Sequence, residues 1–532
     1  MCVLSKISLA STVKENIVRK PACLRVLFVV LKDVESANPH YASVVDYGPS
    51  HCVGDPCPVV GRERKEMSQR RIRGVTGTQN GNVAQEEKHN SPEFTYRESP
   101  LTVLLEHSLH IRAIYHIFVV ILLVLLCDTV IYDLIERGKI NIGVTSVLRG
   151  FGDIRRGVKL WLFELAVALA FYPALRIYGL VRNIIKHHAS LCKIWAVFGI
   201  LCVVGLELVL VAVPVRDLAN TYLALASSAV VTCEMFRFVM KICAAAVACA
   251  PRCHSGNEPL PTISQYVYFL FAPTLIYRDE YPRTKKIRWG VVVFHFLEVS
   301  AIIFYNSFLW ERFILPYWSD YGKEAQVEAG TVVRGMFACV LPGVISFLCG
   351  FYCLLHAWHN AFAEMLTFGD RLFYEDWWTQ SRFSSYYRAW NRIVHAWLRD
   401  HIYRPLAPRA GRAVSTLLVF LVSAAAHEVI LALSFGFFYP VLMVEFGVFG
   451  LLMLPLTANS SRRYPNTSNL MMWLSFFIGN GLLWSLYTME YFSRKNCPVS
   501  EDDSFFVPKS WSCPEIVLKP NWTFQNPFYI IY

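Results

Sequence analysis

The chain has 532 residues, 55% hydrophobic, 14% aromatic and only 17% charged, with a formal net charge of +11. Soluble globular proteins carry about 25% charged residues, so the composition argues against an ordinary soluble enzyme and a disordered scaffold. A nucleic-acid partner is not expected either, because the basic residues do not gather into one stripe.

Mean hydropathy is +0.37, and apolar runs of spanning length recur along the chain, which one signal peptide or one anchor does not explain. The expected fold class is an all-α multi-pass membrane protein. The 16 cysteines are too sparse for a disulfide scaffold. Most, such as Cys127, Cys202, Cys339 and Cys349, sit in apolar runs and read as small hydrophobic side chains.

In chain order, residues 1–98 come first. They hold one short apolar run at Leu24–Leu31, a basic cluster (Arg62, Arg64, Lys65, Arg70, Arg71, Arg73) and a polar tract, Thr76–Asn90. This composition reads as a mostly disordered cytosolic tail, with 99–532 as the membrane domain. Nine spans are expected, at about 114–134, 160–180, 194–215, 221–245, 289–310, 331–356, 413–433, 437–458 and 469–490, since roughly 20 residues cross the hydrocarbon. The fourth carries Glu234, Arg237 and Lys241, which should face a bundle interior or the interface.

Loop charge sets orientation. Segment 251–288 has six Lys and Arg, 357–412 has eight, and Arg462 and Arg463 follow span eight, whereas 311–330 has only Arg312 and Lys323. The N-terminus is therefore expected in the cytosol and the C-terminus in the lumen. The basic loop 135–159 disagrees, and an amphipathic helix or a re-entrant segment there would explain it. Cys497 and Cys513 lie in a polar C-terminal stretch with fifteen residues between them; a bridge there would need an oxidising compartment. Of three sequons, at Asn459, Asn466 and Asn521, only Asn521 would face the lumen.

Two regions carry residues suited to chemistry. Span seven contains Ser423-Ala-Ala-Ala-His427-Glu428. An acidic residue at a membrane helix centre costs about 2.5–3.5 kcal/mol on translocon scales, so such groups must face protein or a cavity. His427 is either a satisfied interior histidine or a general base for a hydroxyl proton. Ser423, four residues earlier on the same face, would orient it or bond its own backbone. No G-x-S-x-G elbow marks a serine nucleophile. The loop Phe373–His395 interleaves aromatics with charges, which suits an interfacial aromatic belt, an amphipathic interface helix or a cofactor groove. His356 and His359 share a face without a firm third metal ligand, and His295 reads as a bundle-facing structural group.

These residues resemble the membrane-bound O-acyltransferase superfamily, in its sterol and diacylglycerol O-acyltransferase branch. Phe373-Tyr374-x-Asp376-Trp377-Trp378, then Tyr386-Tyr387-Arg388-x-Trp390-Asn391, and the histidine at 427 carry the resemblance. Thr379 stands where the branch usually has Asn. The sterol side is favoured by 110–116, 268–278, 360–366 and 437–441, and above all by the Cys497-Pro…Ser510-Trp-Ser-Cys513 tail, which resembles a disulfide loop.

The resemblance covers about 95–532. It implies a nine-helix protein of the endoplasmic reticulum membrane, with His427 as base and Asn391 as its partner. It also implies Arg388, His395, Tyr403, Arg412 and Ser423 lining the acyl-CoA site, with Ser385 where many relatives have Asn, and His110 near bound sterol. The reaction implied is transfer of a long-chain acyl group from acyl-CoA, a co-substrate, to a sterol 3-hydroxyl. No cofactor and no metal are expected, the membrane is the remaining partner, and relatives suggest a homo-oligomer. Diacylglycerol acyl transfer is the nearest alternative. A lipid transporter should show broken helices or inverted repeats, which are not clear here, and a catalytically dead regulator is disfavoured by the intact His427 and Asn391.

Overall fold

The computed structural model describes residues 94–138, 144–255, 259–500 and 503–517. The expected tail, its basic cluster and the Asn521 sequon lie outside them, apart from residues 94–98. The chain divides into two compact units: Pro92–Val119 with Asp133–Tyr532 form one, and among the described residues Val120–Tyr132 belongs to the other.

In hydrocarbon every backbone polar group must be satisfied internally, and the described chain is accordingly helical. In order come α1 (Pro100–His107), α2 (Leu109–Arg137), α3 (Val144–Phe151), α4 (Ile154–Ile184), α5 (Ala189–Asn220), α6 (Leu225–Ser255), α7 (Ile263–Phe271) and α8 (Trp289–Leu309). They are followed by α9 (Ala329–Ala338), α10 (Val340–Phe351), α11 (His359–Met365), α12 (Phe383–Trp390), α13 (Arg392–Leu398), α14 (Arg404–Phe435), α15 (Gly450–Arg463) and α16 (Pro465–Asn496). π-helical turns at Trp310–Ile314, Tyr352–Trp358, Arg399–Tyr403 and Met443–Phe449 adjoin several of these helices.

Among the described residues, seven helices are long and apolar enough to cross a membrane: Leu109–Ile135, Ile154–Ile184, Ala189–Asn220, Trp289–Trp318, Ala329–Met365, Arg392–Phe435 and Pro465–Asn496. The other two expected spans differ. Span four falls in α6, whose charges are partnered inside the protein. Arg237 pairs with Glu234 at 2.6 Å and donates to the Leu270 carbonyl. Lys241, 1% exposed, donates to the Phe269 and Ala272 carbonyls. Span eight is not one helix: the chain turns at Gly436, passes a short loop, and its apolar helical part is only Met443–Ala458. The discordant loop 135–159 does contain a short helix, α3, with Val144 and Leu148 exposed one turn apart.

Residues 95–99 are stitched to the 369–374 segment. Arg97 N–H donates to the Gly369 carbonyl, Arg371 N–H to the Arg97 carbonyl, and Arg97 pairs with Asp370 at 3.0 Å. The fully buried Ser99 shares hydrogen bonds with Tyr374 (2.9 Å), and Tyr374 with His356 (2.7 Å).

At the C-terminal end of α16 a disulfide joins Cys497 to Cys513. The loop it closes is built onto buried Glu490, which accepts from the Lys509 and Ser510 amides and from Arg494. Strand β1 (Gln326–Glu328) pairs in parallel with β2 (Glu515–Val517), Gln326 opposite Glu515. A loop of this length predicts that Cys513→Ser lowers stability by about 3 kcal/mol. Thermal unfolding in detergent with a thiol count checks it; an unchanged midpoint without a new thiol at Cys497 would exclude the bridge in the isolated protein.

Candidate active site

The first half of the site is the join between the two sequence motifs. Residues 373–375 run extended against the end of α12. Glu375 N–H donates to the Ala389 carbonyl (2.7 Å), Arg392 N–H donates to the Phe373 carbonyl (2.9 Å), and Arg392 pairs with Glu375 at 3.2 Å. Asn391 sits between those bonds, with extended backbone (φ −138°, ψ 93°) separating α12 from α13. Its side-chain oxygen accepts from the Val394 amide at 3.1 Å, the N-cap arrangement that satisfies a helix's first orphan donors. The cap uses the oxygen and leaves the Asn391 NH₂ group directed elsewhere.

The aromatic loop is a packed block rather than an interfacial belt. Trp377 is 1% exposed, and its ring lies 4.7 Å from Trp390, 5.0 Å from Phe351 and 5.6 Å from Trp473, centroid to centroid. Tyr386 packs on Phe476 at 4.7 Å. Each such pair contributes about 0.5–1.5 kcal/mol beyond buried area. Composition alone cannot separate a belt from a core, because both need aromatics. Burial pushes the phenols of Tyr374, Tyr386 and Tyr387 above the usual tyrosine range, so all three stay neutral. Thr379 closes a turn by donating to the Asp376 carbonyl (2.8 Å), and the 378–380 backbone is held instead by Asn469 and Trp473.

The second half is α14. It is interrupted at Gly411, whose φ of 83° and ψ of 163° fall in a region essentially reserved for glycine. Arg412 follows the break, exposed at the start of the segment that carries His427. His427 Nδ1 lies 2.7 Å from the Ser423 carbonyl. A carbonyl only accepts, so Nδ1 carries the hydrogen and Nε2 presents its lone pair. The ring is exposed on the protein surface as described and rests 5.9 Å from Phe446.

Glu428 points the other way. It is 1% exposed and accepts from the Tyr487 hydroxyl (2.5 Å) and the Met443 amide (2.9 Å).

Aromatic contacts join the halves. Tyr387 on α12 packs on Phe420 of α14 (4.9 Å) and on Phe446 (5.3 Å). Phe420 lies two turns, about 10 Å, before His427 on the same helix. Sequence reading missed Phe420, Phe446 and Tyr487, which carry no chemical signature, and placed Tyr387 only within the motif at 386–391. Gly411, inside a long helical pattern, was a visible marker.

The remaining expected residues are placed as follows. Arg388 donates to Ser385 (3.2 Å) on α12. His395 is half-buried on α13, and Tyr403 half-buried in the adjoining π-turn. Ser423 contributes its carbonyl to His427. His110 is exposed in the first turn of α2, on a separate element.

The family model for the membrane-bound O-acyltransferase family matches residues 232–489, which include both halves of this site. Over 434 residues the chain is 36% identical to sterol O-acyltransferase 1 of Mus musculus, covering 79% of each chain. Over 432 residues it is 37% identical to sterol O-acyltransferase 2 of Homo sapiens, covering 79% of this chain and 80% of the relative.

Gly450 leaves room for the Tyr387 hydroxyl, which a Cβ there would strike. Gly450→Ala should therefore destabilise by about 1–3 kcal/mol through overpacking. Adding Tyr387→Phe removes the colliding oxygen and should recover most of that loss. Melting midpoints of the two single variants and the double variant check it; simple additivity would refute the contact.

Proposed function

The chain belongs to the membrane-bound O-acyltransferase family, and from that premise we propose that it transfers a long-chain acyl group from acyl-CoA to the 3-hydroxyl of a sterol, giving a sterol ester. The observation that carries the chemistry is the His427 ring, whose Nδ1–H is held by the Ser423 carbonyl so that Nε2 is left as the base. The acceptor class follows from the relatives, both sterol O-acyltransferases, matched over most of their length.

In this reading His427 Nε2 takes the sterol hydroxyl proton as the oxygen attacks the thioester carbonyl. The C–S bond breaks, and the imidazolium returns the proton to the CoA thiolate. General-base assistance of this kind contributes about 10²–10⁴-fold. The Asn391 NH₂, not used by the cap, donates to the developing oxyanion. A thioester is already activated, so the step needs no metal.

Arg388 and Arg412, both exposed, suit CoA phosphates, with Ser385, His395, Tyr403 and Ser423 completing the acyl-CoA site and His110 near the sterol. We also assign the enzyme to the endoplasmic reticulum membrane as a homo-oligomer, with the N-terminus cytosolic and the disulfide loop lumenal, an orientation supported by loop charge and by the oxidising compartment that a bridge requires.

The purified enzyme, assayed with labelled oleoyl-CoA and a panel of cholesterol and diacylglycerol, tests the reading. His427→Ala should lose about 10²–10⁴ in rate; full activity in it would sink the assignment, and faster transfer to diacylglycerol would sink the acceptor. Asn391→Asp keeps the capping oxygen and removes the amide donor. It should melt like the parent yet lose about 10²–10³ in kcat. An unchanged kcat in this variant would make Asn391 a cap alone.

A further inference from the structure

The disulfide loop 497–517 takes no part in the acyl-transfer site, and several of its bulky apolar side chains face outward. Val499 is 93% exposed, Phe506 and Trp511 70% each, and Val507 55%. These are isolated from the loop's own interior by its construction. Lys509 pairs with Asp503 and donates to the Pro498 carbonyl, while Arg494 pairs with Glu490 and donates to the Ser504 and Val507 carbonyls. The cations Lys509 and Arg494 are thus engaged by the loop, while Asp503 and Glu515 remain at the surface beside the bulky apolar side chains that are turned out.

The loop is also fixed in height. Cys497 directly follows the last residue of α16. The Phe438 amide, three residues past the end of α14, donates to the Phe505 carbonyl (2.9 Å). Phe506 packs tilted against Phe438 at 6.1 Å, and Trp511 lies edge-on against Tyr439 at 6.4 Å. Asn496 donates to the Ser319 and Tyr321 carbonyls at the end of the membrane-crossing helix Trp289–Trp318. Three spans therefore end at one level, and the loop lies across those ends. Tyr317 and Tyr491, in the final turns of two of these spans, are exposed at 56% and 39%. The apolar face is continuous in kind with the membrane-facing surface, and tryptophan, phenylalanine and tyrosine are the residues that populate the membrane–water boundary.

We propose that this loop is a membrane-surface anchor, with Phe506, Trp511 and Val499 seated among phospholipid headgroups and upper acyl chains at the face where the spans ending at Trp318, Phe435 and Asn496 terminate. The hydrophobic surface that would otherwise meet water is covered by lipid, and the disulfide keeps the three side chains on a preformed platform.

Photocrosslinking tests this in the full chain, reconstituted in phosphatidylcholine nanodiscs. Benzoylphenylalanine replaces Phe506, Trp511 or Val499 singly, with Leu201, exposed on α5, as the lipid-facing control and Lys323 as the polar one. After irradiation, mass spectrometry should find the mass of one phospholipid added at 506 and 511, as at 201, and none at 323. Absence of lipid adducts at all three loop positions while position 201 reacts would overturn the proposal. So would crosslinks to a second protein chain, which would make the face a protein interface. Three independent positions keep the test decisive if one variant fails to fold.

Discussion

An imidazole and a carboxylate occupy neighbouring positions in one membrane-crossing helix, and hydrocarbon offers neither a hydrogen-bond partner. Each must therefore be satisfied by protein, and because consecutive helical residues point about 100° apart, they need different partners. His427 turns back to the carbonyl one turn earlier. Glu428 reaches across to the Tyr487 hydroxyl on α16 and to the Met443 amide. Meeting the needs of Glu428 places the π-helical turn Met443–Phe449 beside α14, and that turn brings Phe446 against the His427 ring. The carboxylate is thus the anchor that builds the wall behind the imidazole, although it faces away from it.

The same requirement organises the rest of the bundle. In α6 the cations Arg237 and Lys241 end on carbonyls at the C-terminus of α7, where the helix macrodipole favours positive charge. At the base of α11, buried Glu364 takes Arg288 and Arg371 together. Through Arg371 and its neighbour Asp370, residues 95–98 are drawn to the strand-like segment that leads into the Trp377 block. Few charges exist in this chain, and Arg237, Lys241, Glu364 and Arg371 act as junctions between separate elements.

Much of this was legible from residue order. Long apolar runs announce helices, and seven of the expected spans are full-length ones. His427 stood out because an ionisable group in an apolar run is costly, and Asn391 because of its motif. What residue order hides is direction. The aromatics of 373–390 have the composition of a membrane belt, yet Trp377 is buried among Trp390, Phe351 and Trp473, contacts made by residues up to a hundred positions away. Span eight read as one apolar stretch because hydropathy does not register the turn at Gly436 or the π-helical start at Met443. Phe420 and Phe446 were invisible as site residues because packing, not chemistry, is their contribution.

The two halves of the site are held by different physics, and this divides their tolerance to change. Asn391 is fixed by directional backbone bonds on both sides, so its amide cannot drift without breaking a cap or a motif pairing. His427 is fixed by intramembrane hydrogen-bond demand. The link between them, Tyr387 between Phe420 and Phe446, is dispersion and ring packing, which has no preferred atom pair and little directionality. A link of that kind would slide unless something set its register. A steric stop lies at Gly450, where a Cβ would strike the Tyr387 hydroxyl. A glycine in an apolar helix, costly to helix propensity, is therefore what lets the Tyr387 ring seat between Phe420 and Phe446.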